Sequence, residues 1–235
     1  MFPVGLFLMF SAWGKQFLWT TTLFLGLQAV ITFIILAKLA DLFSVTISTV
    51  LVLIFSYFIE WWGVNTGFPF GYYSYTDVLK PIINGVPLAI TFAWFVVTAN
   101  SMLAAKYFLK NTSIYTIAFI SAVFILATDI LLEPFASFVN NYWVWAENKI
   151  PLQNFLNWLF CGFLFSLLLD KIIKWKNNFP NQKNLLKIPL IIIGINLLNF
   201  TIVNLANGYF ALTITGLIMF AIVILSLIKF KPNEN

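Results

Sequence analysis

Six long apolar runs divide the sequence, at residues 16–37, 43–62, 86–107, 114–132, 152–169 and 188–230. A helix needs about 20 apolar residues to cross a hydrocarbon core about 30 Å thick. The first five runs each suit one crossing, and the last is too long for one. Asn204, Asn207 and Gly208 interrupt it, and an Asn/Gly cluster is a turn signal. The pattern therefore predicts two helices joined by a tight turn near 205–209. The opening stretch, MFPVGLFLMFSAWGK, is too short to span and lacks the basic start and small-residue cleavage site of a signal peptide. It reads as a partial or re-entrant first helix, or as the end of a longer one. The expectation is an all-α, polytopic transmembrane helical bundle of about seven to eight helices, forming a single integral membrane domain over residues 1–235.

Composition supports lipid as the solvent. Hydrophobic residues make up 61% of the chain and charged residues 9%, against about 25% charged in soluble domains. Mean hydropathy is +0.94. The basic residues are all Lys, 13 of them, and the isoelectric point near 9.3 would suit a nucleic-acid partner. The lysines instead form short clusters between apolar runs, where they orient helices and meet membrane lipids, so no nucleic acid is expected. Assigned alternately to two sides, Lys38, Lys106, Lys110, Lys171, Lys174, Lys176, Lys183, Lys187, Lys229 and Lys231 collect on one. Only Lys15, Lys80 and Lys149 fall on the other. The positive-inside rule then makes the first side and the C-terminus cytoplasmic, in the cell membrane. The long outer connections, 63–85 and 134–151, are rich in aromatics, Gly, Pro and Asn, which points to function on that side.

The chain has no His and a single cysteine, Cys161. These absences exclude zinc–His, haem–His and di-iron–His chemistry and any multi-cysteine site. The remaining candidates are carboxylates, hydroxyls, amides and aromatics, with no metal or cofactor expected. Glu60, Asp129 and Glu133 lie in or at the edge of apolar runs, where a carboxylate costs about 2.5–3.5 kcal/mol on insertion scales. Asp129 and Glu133 are spaced i, i+4 and share one helix face; Pro134 is expected to end that helix. Two carboxylates on a low-dielectric face do not both ionise readily, so one is expected to hold its proton beside an ionised partner. That arrangement is a general acid beside a general base. The plain alternative is that these groups cap helix ends or meet interfacial water. A magnesium–diphosphate site would need a second acidic cluster and cationic phosphate ligands, which the sequence lacks.

Around the carboxylates lie many π faces and hydrogen-bonding groups. Trp61, Trp62, Phe68, Phe70, Tyr72, Tyr73 and Tyr75 follow Glu60, with Asn65, Thr66, Ser74, Thr76 and Asp77 among them. Trp143, Trp145, Gln153, Asn154 and Trp158 repeat the same chemistry after Glu133. An interfacial aromatic belt explains part of this. Aromatic faces also stabilise a cation, by about 0.5–2 kcal/mol each.

The segment EWWGVNTGFPFGYYSYTDVLKPIINGVPLAITFAW, residues 60–94, together with TDILLEPFASFVNNYWVWAENKIPLQNFLNW, residues 128–158, resembles the bacterial and archaeal carotenoid biosynthesis family of bisanhydrobacterioruberin hydratase type. Both motifs occur in family order and on the same predicted side. Asn157 before Trp158, and Asn141-Tyr142 before Trp143, stand where the family pattern favours Gly. The resemblance implies hydration of the terminal C1–C2 double bond of an acyclic, lipid-soluble carotenoid to a tertiary alcohol, in the company of other carotenoid-pathway enzymes. Such a reaction needs an acid, a shielded tertiary cation and a held water. Asp129 or Glu133 is expected to give the proton, with the other or Glu60 orienting water. Trp61, Tyr72, Tyr75 and Trp143 would shield the cation, and Asn65 and Asn154 would hold the water. Asp77, Trp145 and Trp158 complete the expected binding set. Two rivals share these residues: a carotenoid end-group cyclase, and a carotenoid-binding or transport protein.

Overall fold

The computed structural model describes residues 14–109, 112–177 and 182–229. The expectation for the opening stretch falls almost wholly outside them. Seven long helices follow a short 3-10 turn at Gly14–Phe17: α1 Thr20–Leu39, α2 Leu42–Thr66, α3 Leu88–Phe108, α4 Ile114–Glu133, α5 Leu152–Ile172, α6 Lys183–Ala206 and α7 Phe210–Lys229. All seven are long and apolar enough to cross a membrane, so the chain is a multi-pass membrane protein. α3 is the axis of the bundle, with 78% of its span buried; α7 is peripheral, with 17%. Ala99, Ser101, Ala104 and Ala105 on α3 are fully or almost fully buried, and their small side chains let neighbouring helices approach closely.

Helix ends follow the local chemistry. Asp41 caps α2 by accepting the Ser44 N–H at 2.9 Å, and Ser113 caps α4 by accepting the Thr116 N–H at 3.2 Å. The predicted break in the last apolar run is present. Asn207, Gly208 and Tyr209 join α6 to α7, with the Tyr209 N–H bonded to the Asn204 carbonyl at 2.9 Å.

The regular helix α4 stops at Glu133, before Pro134, as expected, but the chain keeps coiling. The φ of −63° and ψ of −38° at Pro134 are helical, and the chain continues as a wider π turn over Pro134–Val139. Proline lacks the N–H that would extend the regular ladder, and the wider turn accommodates that loss. The Asn140 N–H reaches the Phe135 carbonyl, and the Ser137 hydroxyl donates to the Glu133 carbonyl at 2.7 Å.

The alternating helices put the connections α2–α3 and α4–α5 on one side, and short strands bind them together. β1 (Tyr73–Tyr75) pairs antiparallel with β4 (Trp143–Trp145), in the register Tyr73 with Trp145 and Tyr75 with Trp143. A second ribbon, β2 (Ile82–Ile83) with β3 (Val86–Pro87), leads into α3. On the opposite, lysine-rich side, the Asp41 N–H donates to Lys174 and the Lys176 N–H to Leu39.

The same side holds a buried ion pair. Lys106 Nζ lies 2.7 Å from Asp170, which also accepts the Trp175 indole N–H at 2.8 Å. Removing one member of a buried pair strands the other. Lys106→Met is therefore expected to destabilise the protein by about 3–5 kcal/mol. Adding Asp170→Leu should recover most of that loss, as read by thermal unfolding in detergent.

Candidate active site

Glu60, Asp129 and Glu133 come from different helices or helix turns and line one cavity of about 480 Å³. That volume suits one end of a large ligand. All three are withdrawn from solvent, with exposures of 4%, 1% and 1%. The cavity wall is otherwise mostly apolar and aromatic, including Phe70, Ile90, Val96, Phe135 and Phe200.

Glu60 sits near the end of α2, and its two oxygens accept three hydrogen bonds. The Tyr73 and Tyr75 hydroxyls donate to Oε2 at 2.6 and 2.7 Å, and the Trp94 indole N–H donates to Oε1 at 2.7 Å. Strand alternation aims Tyr73 and Tyr75 the same way. Gly63, one turn after Glu60, makes the approach feasible: a Cβ there would lie 2.8 Å from the Tyr73 hydroxyl. Gly67 then closes α2 at a φ of 74°, a left-handed cap that turns the chain back toward the cavity. Burial first, and then the neighbouring Glu60 charge, pushes the Tyr73 hydroxyl well above its ordinary pKa, so it remains a donor.

Glu133 also accepts three donors. The Trp143 and Trp145 indoles donate to Oε2 at 3.3 and 3.0 Å, and the Asn154 amide donates to Oε1 at 3.0 Å. The two tryptophans are alternate residues of β4, so both rings face the helix. The strand depends on Asn141, whose φ of 50° is left-handed. Asn tolerates that conformation better than most residues with a Cβ, which explains how it fills a position where Gly is expected.

Asp129 is different. Its Oδ2 accepts a single bond, from the same Asn154 amide at 3.2 Å, and its buried Oδ1 has no partner. Asn154, at the start of α5, thus bridges the two carboxyl groups. Trp158, one turn further on, stacks on Trp94 with ring centroids 4.0 Å apart and an angle of 14°.

Of the residues singled out from sequence, Glu60, Asp129, Glu133, Tyr75, Trp143, Trp145, Asn154 and Trp158 line the cavity. Trp61, Asn65, Tyr72 and Asp77 do not. Trp61 follows Glu60 directly and so points about 100° away around α2; it is exposed. The Asn65 amide donates back to the Trp61 carbonyl at 2.7 Å on the exposed face, so it is not placed to hold water in the cavity. Tyr72 has the opposite strand parity to Tyr73 and is 70% exposed. Asp77 pairs with Lys80 at the surface, at 3.5 Å.

Several residues of the site had no assigned role. Trp94, the indole donor to Glu60, ends the first motif, and Tyr73, one of the aromatics that follow Glu60, has the inward strand parity; both features were present in the sequence. Asn196 and Asn199, polar residues inside an apolar run, gave a signal of the same kind as the carboxylates. Tyr142, whose hydroxyl burial pushes up to about 12, shares a 2.8 Å hydrogen bond with Thr21 and closes the wall beside α1.

Comparison with known proteins places the chain in a family. The chain is 29% identical over 123 residues to a bisanhydrobacterioruberin hydratase from Haloarcula japonica; the shared stretch covers 50% of this chain and 42% of that protein. No solved structure matches the chain. The sequence profile described as "Carotenoid biosynthesis protein" matches residues 20–223. With this match over most of its length, the chain belongs to the carotenoid biosynthesis protein family.

Proposed function

We propose that the protein is a carotenoid hydratase that adds water across the terminal double bond of an acyclic carotenoid, with Asp129 as the acid. The observation that carries this reading is the asymmetry of the three buried carboxyl groups. Glu60 and Glu133 each accept three donors. Donors aimed at a carboxyl group favour its anion. Asp129 lines the cavity with one shared donor and a buried oxygen that has no partner, so it is the group suited to carry a proton and release it.

In the proposed cycle the Asp129 carboxyl gives its proton to the inner carbon of the terminal alkene. The π electrons form the new C–H bond, and a tertiary cation is left on the outer carbon. The faces of Tyr75, Trp143, Trp145 and Trp158, with the two carboxylates, stabilise that charge. A water oxygen then bonds to the cation and loses one proton to the carboxylate pair bridged by Asn154. Proton transfer within the pair restores Asp129. The net change is one water added, with no change of redox state.

The family membership and the distant hydratase relative support a carotenoid substrate. The lysine count supports a cytoplasmic C-terminus, which would put the cavity in the outer half of the cell membrane. Expression in a lycopene-producing host tests the reaction. The expected pigment is heavier than lycopene by one or two waters. A new pigment of unchanged mass would identify a cyclase, and bound but unmodified lycopene would identify a binding protein; either would overturn hydration.

A further inference from the structure

The proposed cycle consumes a water, and the donors around the carboxyl groups are already committed. Tyr73, Tyr75 and Trp94 serve Glu60, Trp143 and Trp145 serve Glu133, and the Asn154 amide serves both members of the pair. Much of the remaining wall is apolar. A water held in such a place needs two to four polar partners of its own.

An unused polar group sits at the rim, where the π turn meets β4. Residues 140, 141 and 142 are buried, exposed and buried in turn. Asn140 is 9% exposed, and its amide nitrogen has no hydrogen-bond partner among the described residues. A buried donor left unmade is costly, and a bound water is a common way to satisfy it. Tyr142 lines the cavity, and its hydroxyl shares one hydrogen bond with Thr21. A phenol can donate and accept, so it has capacity for a second bond. The Asn140 amide is close enough to oppose, in part, the upward push of burial on that hydroxyl, yet it makes no direct hydrogen bond. Polar groups that face each other just beyond direct reach are a usual setting for a bridging water.

The backbone fixes this rim and its place in the cavity. The Asn140 N–H donates to Phe135 at 3.0 Å, the Tyr142 N–H to Ala136 at 2.8 Å, and the Thr76 hydroxyl to the Asn141 carbonyl at 2.6 Å. Exposed Asn141 puts solvent one residue away. On the inner side the Tyr142 and Trp143 rings lie 6.5 Å apart, and the Trp143 indole donates to Glu133. The pair Asn140–Tyr142 thus stands between the surface and the carboxyl groups.

We propose that the Asn140 amide and the Tyr142 hydroxyl bind the water that is passed to the cation, as positioning residues for the second half of the cycle. This deepens the hydratase reading and rests on it. The cation left after Asp129 gives up its proton has two fates. Water bonds to it, or a neighbouring carbon loses a proton to the carboxylate and an alkene is restored. A water stationed at the rim favours the first.

Purified full chain in lipid nanodiscs, given lycopene in heavy water, tests this. Each protonation puts one deuterium on carbon and each capture adds one water, so product mass counts both. The readout is the ratio of labelled, unhydrated pigment to hydrated product. Asn140→Leu and Tyr142→Phe are each expected to raise it about three- to tenfold, the value of one neutral hydrogen bond to the water. Thr76→Val removes a hydroxyl that anchors the same segment outside the water site. It should lower the unfolding temperature and leave the ratio unchanged. An unchanged ratio in folded Asn140→Leu and Tyr142→Phe, or an equal rise in Thr76→Val, overturns the water site while hydration by the wild-type protein stands. Wild-type protein that yields no hydrated product overturns the hydratase reading, and the water site with it.

Discussion

Asp129→Asn is expected to lower formation of hydrated pigment by about a hundredfold to ten-thousandfold, the usual contribution of a positioned general acid. The substitution keeps the shape of the side chain. The carbonyl oxygen of the substituted side chain can still accept the Asn154 N–H, so the α4–α5 contact survives. What is lost is the acidic proton of a cavity-lining carboxyl group that has one oxygen without a partner. Glu60→Gln should have a smaller effect on rate, because Glu60 already has its lone pairs occupied by Tyr73, Tyr75 and Trp94. Product per unit of protein, separated by chromatography and identified by mass, is the measurement. Asp129→Asn protein that is folded and makes pigment at the wild-type rate would show that the proton comes from elsewhere.

The sequence disclosed the helices because crossing a bilayer demands long apolar runs, and it disclosed Asp129, Glu133 and Asn154 because charge and amide groups are rare inside them. The pairing of Asp129 with Glu133 followed from the i, i+4 spacing alone. It did not disclose which aromatics turn inward. Tyr72 and Tyr73 are adjacent and chemically alike, and only the register of β1 against β4 separates them. Trp61 and Glu60 are likewise adjacent, and helix rotation sends one to the surface and the other to the cavity. Parity of this kind depends on where a strand or helix begins, and boundaries are the least certain part of any reading from sequence. Pro134 marked the end of the regular helix α4 but not the π turn that follows it. Proline removes one hydrogen bond, the one its own N–H would have donated back to the Ile130 carbonyl, and whether the chain then stops or widens depends on how the residues after it pair, as the Asn140 N–H does with the Phe135 carbonyl.

Glu133→Leu is expected to have the largest effect on the fold itself, a loss of about 3 kcal/mol or more. Glu133 is the shared acceptor for the Trp143 and Trp145 indoles and for the Asn154 amide. Leucine would fill the space but leave the Trp143 and Trp145 indoles without an acceptor and the Asn154 amide with Asp129 alone, and each stranded buried donor costs about 1–3 kcal/mol. The effects do not simply add, because β4 can shift once both of its anchors are gone. That shift would reach β1, its partner, and through Tyr73 and Tyr75 the hydrogen bonds to Glu60. Activity should therefore vanish together with stability. Glu133→Gln keeps an acceptor oxygen for one set of donors but presents its own N–H₂ to another, so its loss should be smaller. Thermal unfolding in detergent, followed by tryptophan fluorescence, separates the two variants. If Glu133→Leu unfolds at the wild-type temperature with an unchanged emission spectrum, the tryptophans do not depend on this carboxylate for their position, and the connection from α4 through β4 and β1 to Glu60 does not hold.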